Sequence, residues 1–302
     1  MPTVKDRIAN CLTGSVPAVA IAMLAALCFI AGCKSWQKEK PTTGNPLGLS
    51  GMQMPPNSVA CLVSVVKLNK NQGERFDRIW PELDQQAVGL VQRRAWDANG
   101  LRIALAPAQL PGELRTLLEE DLATDENKLE KIDGLESKIA EAQNGQTSST
   151  WRMTLREGNA KSIAVSPPHE AASWVIESGS KQTAGAGTRV TALMQLTAFP
   201  KGDGTTKIVL RPLIKHGEPH SRFGVLNNSL TLETSQTEVL LDQLRVEASL
   251  KPGQTMIATC IPQSAEFGQL LFGNPEQLES GERRVLLIRL VQTQQDDVFK
   301  NR

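Results

Sequence analysis

The N-terminal segment constrains this chain most, because it is typical of a membrane-inserting segment rather than of a globular core. After Lys5, Asp6 and Arg7, the 25 residues from Ile8 to Gly32 contain no charged side chain. A short basic region followed by an apolar run predicts a secretory signal. An uncleaved transmembrane helix is the alternative, since 25 uncharged residues are long enough to span a bilayer.

The uncharged run ends in the sequence Ile30-Ala31-Gly32-Cys33. An apolar residue and two small residues directly before a cysteine resemble the lipobox of bacterial lipoproteins. The resemblance implies that residues 1–32 are removed as a signal peptide and that Cys33 becomes a lipidated N-terminus, carrying acyl chains such as palmitate. Two or more acyl chains suffice for stable anchoring. Lys34 stands where an aspartate retains lipoproteins in the inner membrane, which favours the outer membrane, facing the periplasm.

The charge balance excludes one class of partner. The whole chain has a formal net charge of +1, and removal of residues 1–32 leaves a formally neutral mature chain. Nucleic-acid binding needs clustered lysine and arginine to neutralise phosphates. We therefore expect no nucleic-acid partner, and an anchor supplied by lipid rather than by a polybasic patch. The expected partners are the membrane, through the lipid, and a protein of the cell envelope.

The mature chain divides by composition into a tether and a folded part. Residues 33–57 lack a hydrophobic period and are rich in Pro, Gly, Thr and Asn, which predicts a flexible tether. The order strand–helix–strand–helix predicts a small α/β module over 58–145. Alternation from Trp151 onward predicts a β-rich, mainly antiparallel domain over 146–293, followed by a disordered tail over 294–302. The predicted fold class is therefore α+β.

Helical periods predict the segments that cover the sheet of the α/β module. An amphipathic helix over 85–97 is expected to place Ala87, Leu90, Val91 and Ala95 in the core. The charged segment over 119–149 predicts a surface helix or helical hairpin, with a partner-binding helix as the alternative. The other expected elements are a strand over 59–68, a turn over 69–73, a helix over 74–83 interrupted by Pro81, and a strand over 101–105.

Turn residues mark the hairpins of the β-rich part. Asp203-Gly204 predicts a hairpin that joins strands over 189–199 and 207–214. The sequence Lys-Pro-Gly over 251–253 predicts a type II turn. The Gly-rich run over 178–187 predicts a flexible loop.

Two further resemblances concern the folded part. The stretch ANGLRIALAPAQLPGELRTLL over 98–118 resembles uncharacterised bacterial envelope lipoproteins, which implies a location and no chemistry. The turn and strand segments over 199–204, 210–213 and 252–255 resemble the β-domain of secretins. That resemblance implies a β fold and an envelope scaffold role. It implies no pore, because the sequence has neither repeated N-domains nor an amphipathic membrane-lip segment.

Two cysteines remain once Cys33 is lipidated and Cys11 and Cys28 leave with the signal. Cys61 and Cys260 both lie in apolar, strand-like runs. An oxidising envelope permits a disulfide between them, and two separate buried thiols are the alternative. Both possibilities stay open, because the sequence does not determine the Cα separation that a disulfide needs.

No motif in the sequence predicts catalysis. Residues 216–220 read His-Gly-Glu-Pro-His, but the Gly and Pro break the helix that a shared metal site needs, so the segment predicts a turn. Ser178 and Lys181 match Ser-x-x-Lys without the helix that this chemistry requires. His169 follows two prolines and is expected in an exposed loop. The sequence therefore predicts no catalytic residue, no metal ligand and no cofactor.

Three hypotheses for function follow. The first is a non-enzymatic, membrane-anchored envelope lipoprotein that serves as a scaffold or protein-interaction module. The second is a small-ligand-binding or secretion-system assembly lipoprotein, which an apolar pocket or an unpaired strand edge favours. The third is a hydrolase with a dispersed site, which needs His169, His216 or His220 beside a serine or carboxylate in a cleft.

Overall fold

A computed structural model describes residues 54–123, 148–226, 229–262, 266–273 and 281–295. The predicted signal peptide, the lipobox and most of the predicted tether, charged segment and tail lie outside these residues. None of the helices in the described ranges combines the length and apolar character needed to cross a bilayer.

The described residues form eleven strands and four α-helices. The helices are α1 (Lys70–Ile79), α2 (Leu90–Ala98), α3 (Gly112–Ala123) and α4 (Glu266–Phe272), with 3₁₀ turns at Trp80–Glu82 and Asp242–Leu244. The strands are β1 (Ser58–Leu68), β2 (Leu101–Ala106), β3 (Ser149–Arg156), β4 (Ala160–Ala164), β5 (His169–Ser178), β6 (Lys181–Pro200), β7 (Thr206–Leu226), β8 (Ser229–Leu240), β9 (Val246–Leu250), β10 (Thr255–Cys260) and β11 (Arg283–Gln294).

The first sheet joins strands from the start and the end of the folded region. Its order is β2-β10-β11-β1-β3, and every pair is antiparallel. Val65 of β1 lies opposite Leu286 of β11, and Met256 of β10 lies opposite Ile288 of β11. The separate N-terminal α/β module expected from the sequence is not confirmed, because its strands complete a sheet with β10 and β11.

The second sheet is built on the two long strands β6 and β7. They pair through the predicted hairpin, in which Gly204 has a φ of +78° and the Asp203 carboxylate accepts from the Thr205 backbone N at 2.8 Å. Successive parts of β6 pair with β5 and β4, and successive parts of β7 pair with β9 and β8. The prediction of a mainly antiparallel, β-rich fold is thus confirmed.

Apolar side chains cover both faces of the first sheet. On one face, Phe76 of α1 and Leu117 of α3 pack in a cluster with Leu287. On the other face, Ile288 belongs to a larger cluster that contains Trp96 of α2 and buried residues of the second sheet. Burial on both faces explains why β10 is buried along its whole length instead of alternating.

Helix α1 begins earlier than the sequence predicts. The Asn69 side chain accepts from the Gln72 backbone N at 3.0 Å, and the Gln72 side chain accepts from the Asn69 backbone N at 3.0 Å. This reciprocal cap makes the expected turn over 69–73 the first turn of the helix. The helix ends at Ile79, and Pro81 lies in the 3₁₀ turn that follows.

The Gly-rich segment over 178–187 is a hairpin, and the prediction of a flexible loop there is wrong. Its residues turn at Gly179 and then pair with β5 as the first part of β6. Buried Trp174 lies opposite Gly185, where an added Cβ would lie 2.5 Å from the indole ring. The small residues therefore make room for an aromatic ring.

Candidate functional site

A cleft at the edge of the first sheet is the candidate site. It has a volume of about 220 Å³ and lies where the 3₁₀ turn after α1 and helix α2 meet β2 and the end of β10. Polar groups from different elements converge in it, as is usual for ligand sites. The polar lining residues are Gln85, Arg93, Asp97 and Arg102, and the apolar ones are Trp80, Ile103 and Ile261.

Asp84 fixes the segment that brings Gln85 to the cleft. Its backbone exchanges two hydrogen bonds with Leu105 of β2, at 2.8 and 2.9 Å. Its carboxylate accepts from the backbone N of Gln86 at 2.9 Å and of Ala87 at 3.1 Å. The backbone bonds pair Asp84 with the edge strand β2, and the carboxylate bonds form the turn that precedes α2.

Asp77 of α1 bridges two arginines that project from the sheet. Its Oδ1 accepts from Nη2 of Arg102 and lies 2.8 Å from Nη2 of Arg283. Only 13% of the Arg102 side chain and 5% of the Arg283 side chain are exposed, so both guanidinium groups are largely removed from water, whereas Asp77 is 33% exposed. The Arg102 guanidinium lies 4.2 Å from the Trp80 ring centroid, a cation–π contact.

The charge of Arg102 is incompletely balanced. Burial lowers the pKa of its guanidinium, the hydrogen bond and charge of Asp77 raise it, and the charge of Arg283 lowers it further. An arginine stays protonated in proteins. Arg102 therefore carries a positive charge at the cleft. Its partner carboxylate, Asp77, also pairs with Arg283.

Helix α2 contributes Arg93 and Asp97, which lie one helical turn apart on the same face. Nε of Arg93 is buried and donates to no acceptor among the described residues. Burial raises the pKa of Asp97, and the positive charge of Arg93 lowers it. Arg102 connects these two residues of the cleft lining to Asp77 and Arg283 behind it, so three cationic groups and two carboxylates lie in and next to the cleft.

Two large apolar side chains lie exposed at the start of α2, and the prediction that they face the core is wrong. Leu90 is 53% exposed and Val91 is 82% exposed. The helix instead buries Trp96, whose Nε1 donates to the backbone O of Leu244 at 2.7 Å. Helical spacing places Leu90 on the face that carries Arg93. We call Leu90 and Val91 the apolar rim, although neither of them lines the cleft itself.

The two cysteines considered for a disulfide are buried free thiols in the structure. Cys61 lies on β1 and Cys260 on β10, the strands on either side of β11. The two strands are two strand spacings, or about 10 Å, apart, and the cysteines are also offset along β11. The strand spacing alone exceeds the Cα separation that a disulfide bridges. Burial raises the pKa of the Cys61 thiol to about 12 and also raises the pKa of Cys260.

The histidines belong to the second sheet. His169 is buried at the start of β5, so the expectation of an exposed loop is wrong. His216 lies within β7 and not in the predicted turn, and the register with β8 shifts between His216 and His220, where Gly217 has a φ of +87°. The rings of His216 and Trp174 lie 5.6 Å apart.

Two other sequence expectations can be placed. Ser178 and Lys181 pair across the turn between β5 and β6, so they do not share the helix that Ser-x-x-Lys chemistry needs. In the part of the chain that the structure describes, no group of three or more His, Cys, Asp or Glu side chains is arranged to hold a metal. The lipobox residues Ile30, Ala31, Gly32 and Cys33 lie outside that part.

No family model, curated protein or solved structure matches the chain. No sequence motif marks Arg93 and Arg102 of the cleft, or Arg283, which pairs with Asp77 outside it. A usable signal exists for one of them, because Arg102 interrupts the apolar strand Leu-Arg-Ile-Ala-Leu and charged residues are seldom buried without a partner.

Proposed function

We propose that this chain is a lipid-anchored protein of the bacterial envelope whose folded domain binds a partner protein at the arginine-lined cleft, without catalysis of its own. The lipobox-like sequence that ends at Cys33 supports the anchor. The formally neutral mature chain supports an anchor made of lipid rather than of basic residues.

The apolar rim is the observation that carries the proposal of a protein partner. Leu90 and Val91 are adjacent, large and exposed. Leu90 lies one helical turn before Arg93, which lines a cleft that contains charged and aromatic groups. An apolar patch bordered by polar residues is typical of a protein interaction surface. Arginine and tryptophan are also the residues that contribute most to binding energy at such surfaces.

A second candidate function is the binding of a small molecule in the same cleft. The observation that favours it is the convergence of Gln85, Arg93 and Arg102 on a volume of about 220 Å³. That volume suits a group the size of one amino-acid side chain more than a large ligand. A small molecule alone leaves the apolar rim uncovered, so we favour the protein partner.

Metabolic labelling with palmitate tests the anchor. We expect label in the wild-type chain and in Cys28→Ala, which removes a cysteine of the signal segment but keeps the sequence that ends at Cys33. Cys33→Ala removes the acylated thiol and should incorporate no label. Equal labelling of Cys33→Ala and the wild type contradicts the lipid anchor. Acyl label is the readout, because an unprocessed signal segment retains a chain in the membrane without lipid.

A further inference from the structure

The chemistry that the cleft recognises follows from its charges. Two arginines, Arg93 and Arg102, line the cleft together with one carboxylate, Asp97. Asp77, which pairs with Arg102, is shared with Arg283. These three guanidinium groups and two carboxylates together leave one positive charge in excess. Asp77 uses the same oxygen, Oδ1, for both of its arginines. An excess positive charge in a partly buried site is unfavourable, because little water solvates it. An anion that binds there is stabilised by its attraction to that charge.

The ligand charge that fits best is a single negative one. One carboxylate offsets the excess, and its two oxygens match the fork of a guanidinium. A phosphate carries up to twice that charge at neutral pH, and the Asp97 carboxylate in the same cleft opposes it. The side-chain amide of Gln85 also lines the cleft and supplies an N–H donor.

We infer that the cleft binds an acidic side chain of the partner protein, with its carboxylate between Arg93 and Arg102 and a neighbouring apolar side chain on the rim of Leu90 and Val91. This rests on the proposed function, since the rim is what distinguishes a polypeptide from a free acid. Asp97 lines the cleft next to the incoming carboxylate and lowers its affinity.

Helix α2 offers a matched pair of arginines for the test. Arg93 lines the cleft, whereas Arg94 is exposed and does not line it. Replacement of either by glutamine removes the same charge from the same helix. The full-length chain in a neutral detergent is used to select binders from a displayed library of random heptapeptides. The affinity of the best peptide is then compared with that of its acid-to-amide counterpart.

We expect selected peptides to be enriched in Asp or Glu next to an apolar residue. Loss of a charge-assisted hydrogen bond should weaken binding about tenfold or more, both for the amide peptide and for Arg93→Gln. Arg94→Gln should bind like the wild type, and Asp97→Asn should bind more tightly. Thermal unfolding of each variant shows that the comparison is between folded proteins.

Two results of the peptide experiment overturn the inference. The first is a selection that returns no binder or returns peptides without enrichment in Asp or Glu. The second is an equal loss of affinity in Arg93→Gln and Arg94→Gln. Displacement of the peptide by acetate at concentrations similar to those of the peptide assigns the site to a free acid and overturns the polypeptide assignment. Peptide binding does not depend on acylation of Cys33. A negative result in the binding experiment is therefore distinct from a negative result in the palmitate experiment.

Discussion

The side chain of Asn99 pairs with the backbone of Glu177 as a neighbouring strand would. Its Nδ2 donates to the Glu177 carbonyl O at 2.8 Å, and its Oδ1 accepts from the Glu177 backbone N at 2.8 Å. Nδ2 also donates to the carbonyl O of Ala95 at 2.7 Å. Asn99 is 1% exposed and lies between α2 and β2, so this contact joins the first sheet to β5 of the second.

We predict that Asn99→Ala destabilises the domain by about 3 kcal/mol, because it leaves the backbone groups of Glu177 without their partner in a part-buried site. Denaturant unfolding measures the change. Asn159→Ala, at an exposed asparagine, is the control and should change stability by about 0.5 kcal/mol or less. Equal stabilities of the two variants contradict the role given to Asn99.

The arginine network predicts a large cost for loss of Asp77. Asp77→Asn removes the carboxylate that serves buried Arg102 and Arg283 and should destabilise the domain by about 3 kcal/mol. Asp242→Asn is the matched control, because Asp242 pairs with Arg211 at 2.9 Å but is 69% exposed. An exposed pair is worth about 1 kcal/mol or less. Similar losses in the two variants, measured by thermal unfolding, count against a buried network.

The packing of Trp174 on β6 predicts that Gly185 does not tolerate a methyl group. Gly185→Ala should destabilise the domain by about 1–3 kcal/mol, because the new Cβ overlaps the buried indole. Gly112→Ala is the control, since nothing lies within 4 Å of the Cβ built there. Tryptophan fluorescence during urea unfolding reports both changes. An unaltered midpoint for Gly185→Ala rules out the close contact with Trp174.

The Cys61 thiol predicts a loss of stability at alkaline pH. Burial raises its pKa to about 12 in the folded chain, whereas an unfolded thiol titrates near 8.5. Between these values the unfolded chain has lost a proton that the folded chain keeps, so stability falls as the pH rises. Cys61→Ala lacks this contribution. Its free energy of unfolding should therefore fall less than that of the wild type between about pH 8 and about pH 10.5. Equal falls contradict the burial of a neutral thiol.

Local sequence signals predicted many elements because the forces that form them are local. Asp203-Gly204 supplies the turn between β6 and β7, and these two adjacent residues suffice to predict the hairpin. The pairing of strands is different, because Val65 meets Leu286 only after most of the chain has been traversed. No local pattern encodes that partner, which is why the sequence predicts a separate α/β module.

The candidate site is likewise predictable only in part, because some of its features depend on local sequence and others on packing. Leu90 and Val91 have apolar side chains at helical spacing, which predicts burial, but α2 begins only at Leu90 and turns Trp96 inward. Their exposure depends on the position of the helix against β2. Arg102 is visible in the sequence as a charge within an apolar strand, whereas its bridge to Asp77 depends on the packing of α1 on the sheet.

Photo-crosslinking in cells tests most directly whether the cleft binds a protein. A photoreactive amino acid replaces Leu90 of the rim in the native chain, in Arg93→Gln and in Arg94→Gln, and the same replacement at Lys201, in the turn between β6 and β7, is the control site. We predict a discrete adduct at position 90 that persists in Arg94→Gln and falls about tenfold in Arg93→Gln. An adduct at position 90 no stronger than at 201, or one that Arg93→Gln leaves unchanged, contradicts a partner at this cleft.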